Sequence, residues 1–151
     1  MISKSHKKQE VILTEPSISL AEEYFRNAEE TLRITNLIKD SGSNMWLATQ
    51  KYYTEYLAAY SILMKIGIKS EVHTRTIDII KLLEQEKIID FQFSNKLEED
   101  KNLRIDNQYY LKNIPIDFDP KKTAELLLKV RNVLDTLSKE KIEYIRRKLQ
   151  Q

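Results

Sequence analysis

Tyr52, Tyr56 and Tyr60 recur every four residues, which lines them up as an aromatic stripe on one face of a helix. Such a stripe can stack nucleobases. It can equally serve as a core seam or an oligomer contact with its hydroxyls at the rim, and that structural role is the expected one. Arg104 follows Asp100 by four residues, the spacing of a helical surface ion pair worth roughly a few tenths of a kcal/mol. His73 stands near the start of an expected helix, where a capping or packing role is the simplest. His6, Lys7 and Lys8 can form a nucleic-acid arm, but a solvated terminus explains them as well. The chain has no glycine-rich phosphate loop, no HExxH and no GxSxG. It has no cysteine and two histidines, so no disulfide, no thiolate zinc site and no histidine-rich metal site is expected. No cofactor is implied.

Helices must position these groups. The 151 residues are enough for one domain with a real core, and 41% hydrophobic with 32% charged residues argues against wholesale disorder. Two glycines and three prolines are too few for the turns of a β-sandwich. The expected fold is therefore all-α, an up-and-down bundle of about five helices, with a flexible tail over 1–15 and the domain over 16–151. A formal charge of +2 does not by itself call for a nucleic-acid partner. No apolar run approaches a membrane span, and the short Val11–Leu13 stretch is no signal-peptide core, which makes a cytoplasmic location the expectation.

The first helix is expected over Ser17–Ser41, with Ser17 or Ser19 as cap and Ile18, Ala21, Phe25, Ala28, Leu32 and Thr35 on its inner face. Gly42 fits its C-terminal cap. The second, over Asn44–Ile66 with Gly67 as stop, is apolar on more than one face and therefore central. A third is expected over Ser70–Lys87 and a fourth over Ser94–Tyr110. Pro115 keeps Leu111–Asp119 a loop, and Asp119-Pro120 starts a last helix running to about Leu149. Ala124, Leu127, Arg131, Leu134 and Leu137 are expected along its inner face, with Arg131 the polar exception.

Three stretches in this order, LAEEYFRNAEETLRITNLI from Leu20, WLATQKYYTEYLAAYSILMKIGIKSEVHTRTIDII from Trp46, and LRIDNQYY ending at Tyr110, resemble the HEPN family of small helical proteins. The resemblance covers roughly Leu20–Tyr110. It implies a helical bundle, a homodimer, and a toxin–antitoxin or defence role beside a nucleotidyltransferase partner. The family's active members carry an arginine followed four to six residues later by a histidine, and cleave RNA without metal where two copies meet. Arginine forks onto phosphate, and a histidine moves protons near neutral pH. The resemblance makes Arg104 the arginine, but Tyr109 and Tyr110 stand where the histidine is expected. An unperturbed tyrosine, with a pKa near ~10, is a poor base at pH 7 but can donate a hydrogen bond to phosphate. The implied site is thus Arg104, Tyr109 and Tyr110, degenerate as a ribonuclease and still able to bind RNA or a nucleotide. The alternatives are a working metal-independent ribonuclease and a non-catalytic scaffold bundle. His73 joins the site only if the fold brings it to Arg104.

Overall fold

A computed structural model describes residues 11–151, so His6, Lys7 and Lys8, expected in a solvated terminus, lie outside the described residues. The chain is all-α apart from one small ribbon. In order it forms β1 (Val11–Leu13), α1 (Ile18–Ile38), α2 (Asn44–Ile66), β2 (Ile68–Ser70), α3 (His73–Gln85), α4 (Ser94–Gln108), α5 (Pro120–Thr136) and α6 (Lys139–Leu149). Among the described residues no helix is long and apolar enough to cross a membrane.

α2 is the central element, as its apolar girth requires. Tyr52, Ala58, Ala59, Ile62, Leu63 and Ile66 on it are fully buried. α1 makes its most extensive contact against it. Ala21 and Ala28 on α1 face the same core, and so little side chain lets two helices lie close. Ser17, not Ser19, caps α1, its hydroxyl accepting from the Leu20 amide. Glu22 consequently takes no part in a capping box and pairs with Arg131 of α5 instead. The expected inner face of α1 holds except at Ile18, which is 69% exposed at the helix's first position. α2 ends as anticipated: Gly67 adopts φ +86°, and its amide donates to the Leu63 and Met64 carbonyls.

Three expectations are corrected. The tail expected over 1–15 includes a strand, because Val11, Ile12 and Leu13 pair antiparallel with Ser70, Lys69 and Ile68. The third helix starts at His73 rather than Ser70, since Ile68–Ser70 is committed to that ribbon. The last helix is two: Leu137 leaves helical geometry at ψ 94°, and Ser138 caps a new helix by accepting from the Lys141 amide. The packing face of α5 also differs from the expected one: it buries Thr123, Leu127, Val130, Val133 and Leu134 and leaves Ala124 outside.

Two ties set the position of the remaining helices. Arg146 of α6 donates through Nη1 to the carbonyls of Thr14, Ile66 and Gly67 at 2.7, 3.1 and 3.0 Å, clamping α6 to the α2–β2 corner. α4 begins at Phe93–Ser94 with no cap from its own N-cap residue. Glu84 of α3 supplies one instead: it accepts from the Phe93 amide at 2.9 Å, the Ser94 amide at 2.6 Å and the Ser94 hydroxyl at 2.7 Å. A carboxylate at a helix N-terminus satisfies orphan amides and meets the positive end of the dipole. α4 carries Arg104, so this contact from α3 helps to fix the candidate site.

Candidate functional site

α2 and α4 pack together along much of their length. On one side of this seam the tyrosines of α2 form a platform. Tyr52 is completely buried, Tyr53 and Tyr56 are half-buried, and Tyr60 is 8% exposed. Neighbouring rings sit 5.6–6.4 Å apart from Tyr52 through Tyr53, Tyr56 and Tyr60. The expected core seam is therefore real, and most of its hydroxyls are engaged. Tyr60 donates to the Ser70 carbonyl and accepts from the Ser70 amide, tying the stripe to β2. Burial raises the phenol pKa of Tyr52, Tyr56 and Tyr60, because the phenolate would lose its water.

Arg104 reaches this platform from α4. It is 9% exposed, so it is not the surface residue its spacing from Asp100 suggested. Its guanidinium carbon lies 5.1 Å from the ring centre of Tyr52, 5.4 Å from Tyr53 and 5.7 Å from Tyr109. Nη1 donates to the Tyr53 hydroxyl at 3.2 Å, and Nε is buried without an acceptor. The anticipated Asp100–Arg104 pair does not form. Asp100 turns to Lys51 at 3.5 Å and Lys96 at 3.6 Å. Arg104 is thus a nearly enclosed cation balanced by π faces and one phenol rather than by a carboxylate. Arg131 of α5 is treated differently: Glu22 grips it at 2.6 and 2.8 Å and Asp135 at 3.2 Å.

His73 also comes to this place. As the first residue of α3 it stacks on Tyr56, with ring centres 4.1 Å apart and planes 14° off parallel. Its Nδ1 is 2.8 Å from the Tyr52 hydroxyl. The residue thus acts as the packing histidine expected of it, and no capping bond is made by α3's N-cap. Yet Tyr52 carries His73 at its hydroxyl and Arg104 at its ring, which joins two groups that lie far apart in sequence. Burial lowers the pKa of His73, and the nearby Arg104 and Lys101 charges lower it further. Its ring is accordingly neutral at pH 7.

Tyr109 and Tyr110 sit where α4 ends, 63% and 67% exposed. Tyr109 closes the outer side of Arg104, whereas Tyr110 turns away to Lys112, whose ammonium is 5.8 Å from its ring. The structure therefore brings Arg104, Tyr109 and His73 to one tyrosine platform and leaves Tyr110 beside it. The Leu111–Asp119 loop that follows is held by Asn107, which accepts from the Ile114 amide at 2.6 Å, and by Asn113, which accepts from Asn44 at 2.9 Å.

A second polar cluster on the α2–α4 seam escaped sequence reasoning. Lys51 and Glu55 stand four residues apart on α2, and both are buried, Glu55 completely. Lys51 donates to the Asp117 carbonyl at 3.1 Å and lies beside Asp100. Glu55 lies against Asp100, and burial and that contact raise its pKa. The signal was available: two charges inside a helix that is apolar on nearly every face must point somewhere other than water. No family model matches this chain, and no curated protein matches it in sequence.

Proposed function

We propose that this chain is a HEPN-like homodimeric module that binds a phosphate-bearing ligand, single-stranded RNA or a nucleotide, at Arg104 with Tyr109 and Tyr110, and does not cleave RNA efficiently. The observation that carries this reading is the state of Arg104. It is a nearly buried cation with no carboxylate partner among the described residues, an unused Nε and an exposed tyrosine at its outer side. A phosphate oxyanion supplies the missing counter-charge, and Tyr109 can stack a base beside it. A toxin–antitoxin or defence role beside a nucleotidyltransferase partner belongs to the same proposal and rests on the family resemblance alone.

A working ribonuclease is the second reading, and His73 is the observation that favours it. A neutral imidazole on the same platform as Arg104 supplies the proton-moving group that Tyr109 and Tyr110 lack. One experiment separates the two. Fluorescence anisotropy with a short single-stranded RNA should show binding that weakens about tenfold in Tyr109→Ala and Arg104→Lys, and stays unchanged in Lys148→Ala. In parallel, metal-independent cleavage that disappears in His73→Ala would establish the ribonuclease. Equal binding by all variants would remove Arg104 and Tyr109 from any ligand site.

A further inference from the structure

Glu55 is fully buried, and neither of its carboxyl oxygens has a hydrogen-bond donor among the described residues. Asp100, 3% exposed, faces it; its Oδ2 makes no hydrogen bond among the described residues and has the Lys96 ammonium 3.6 Å away. Two carboxyl groups in contact satisfy each other only if one holds a proton. Burial, and then the hydrogen bond to Asp100, hold the Glu55 carboxyl well above its ordinary range, so Glu55 is the protonated member. One of its oxygens is thereby spent on Asp100. The other has nothing to accept from. A buried acceptor left empty is costly, and such a group in a native fold calls for an explanation.

Glu55 lines a cavity of about 400 Å³ between α2, α4 and α5. Its size falls in the range of small-ligand sites. Phe91 forms one wall, with the ammonium of Lys129 lying 5.7 Å from its ring centre. Lys122 and Lys129 stand exposed at the rim. The cavity shares no lining residue with the Arg104 platform. It has three unlike features: a buried carboxyl at its base, an aromatic wall, and lysines at its mouth.

We infer that this cavity binds a small molecule whose planar group presents paired N–H donors to Glu55, stacks on Phe91 and carries an anionic group held by Lys122 and Lys129. Two sources share that chemistry, a guanine nucleotide and a guanidino amino acid. A planar donor pair matches the two oxygens of a carboxylate, so the ligand meets Glu55 in its ionised form. As the ligand enters, its two donors take both Glu55 oxygens, the hydrogen bond between Glu55 and Asp100 is given up, and the proton leaves to solvent. Lys51 and Lys96 remain beside Asp100 and offset its charge. The other charged groups lining the cavity, Asp117, Asp119 and Glu125 with Lys122 and Lys129, come from the loop and α5. Binding is therefore linked to the release of one proton and strengthens as pH rises toward the Glu55 pKa.

Isothermal titration of the full chain with GMP and, separately, with Nα-acetylarginine tests this, with AMP as a control whose base edge offers a donor and an acceptor rather than two donors. One of the first two should bind better than AMP, with heats that depend on the buffer's ionisation enthalpy and an affinity that rises with pH. Glu55→Gln should weaken it about tenfold or more and abolish the pH dependence. Lys122→Ala with Lys129→Ala, both at exposed sites, should weaken it and flatten its salt dependence. Tyr109→Ala should leave it unchanged, which separates this cavity from the Arg104 site. No binding of either ligand at millimolar concentration overturns the inference, as does binding that survives Glu55→Gln with its pH dependence intact.

Discussion

His73 and Glu55 are both titratable groups taken out of water, and their effects on stability run in opposite directions. His73 has a lowered pKa, so folding favours its neutral ring. Its contribution is complete above the unfolded value of 6.5 and is lost as pH falls below it. Arg104→Met should raise the His73 pKa toward, but not up to, its ordinary value, because burial is the larger cause. An NMR titration of the ring resonances reads this directly, and an unchanged His73 would mean that Arg104 and His73 do not sense each other. Glu55 has a raised pKa. Its contribution is complete below the unfolded value of 4.5 and is lost as pH rises through the higher folded value. Glu55→Gln keeps a donor for Asp100 at every pH. It should stabilise the fold by on the order of 1–3 kcal/mol at pH 7 and above, with little change near pH 4, as measured by urea denaturation across pH. None of these settings was legible in the sequence. Arg104 was expected in a surface ion pair and lies in a different environment, because spacing cannot reveal that Asp100 faces Lys51 and Lys96 while Arg104 faces rings.

Elements read well where their signals are local and poorly where they are not. The Asn44–Ile66 helix and its Gly67 stop, the start at Asp119-Pro120 and the loop before it follow from caps, proline and periodicity within a few residues. The ribbon did not, because three-residue strands have no periodicity to detect and their pairing joins segments far apart in the chain. The break at Leu137–Ser138 was missed since LDTLSKEKIEY keeps a helical pattern throughout, and only the serine cap marks it. The cap on α4 is the clearest non-local case: Glu84 belongs to the preceding helix, so no capping motif appears at Ser94 itself. Glu84→Ala should therefore destabilise the protein by about 1–3 kcal/mol, with hydrogen exchange accelerated first at the α4 N-terminus. A loss confined to α3 would show that the carboxylate serves its own helix only.

At the scale of the whole molecule, the tyrosine stripe of α2 does not serve as an oligomer contact, because α2 is enclosed within the protomer, with Tyr52 at 0% and Tyr60 at 8% exposure. The exposed apolar groups lie elsewhere. Tyr109, Tyr110 and Leu111 are 63%, 67% and 72% exposed in succession at the end of α4. Trp46, 51% exposed in the first turn of α2, belongs to the same end of the molecule, because Asn44 is bonded to Asn113 in the loop that follows Leu111. Large apolar side chains exposed at one end of a molecule mark an interface more often than idle surface. A two-fold contact through it would set the Arg104 platforms of two chains close together, with each Tyr109 near the shared groove. Light scattering at micromolar concentration should then report a dimer. Leu111→Ser with Tyr110→Ser should shift it to monomer without lowering the melting temperature of the isolated protomer. Leu37→Ser, at an exposed apolar residue of α1 (71% exposed), should leave the dimer intact. If Leu37→Ser dissociates the dimer and the loop variants do not, the contact runs through α1 and the Arg104 sites stay apart. In that arrangement each platform would bind its phosphate alone, and RNA affinity would not depend on protein association.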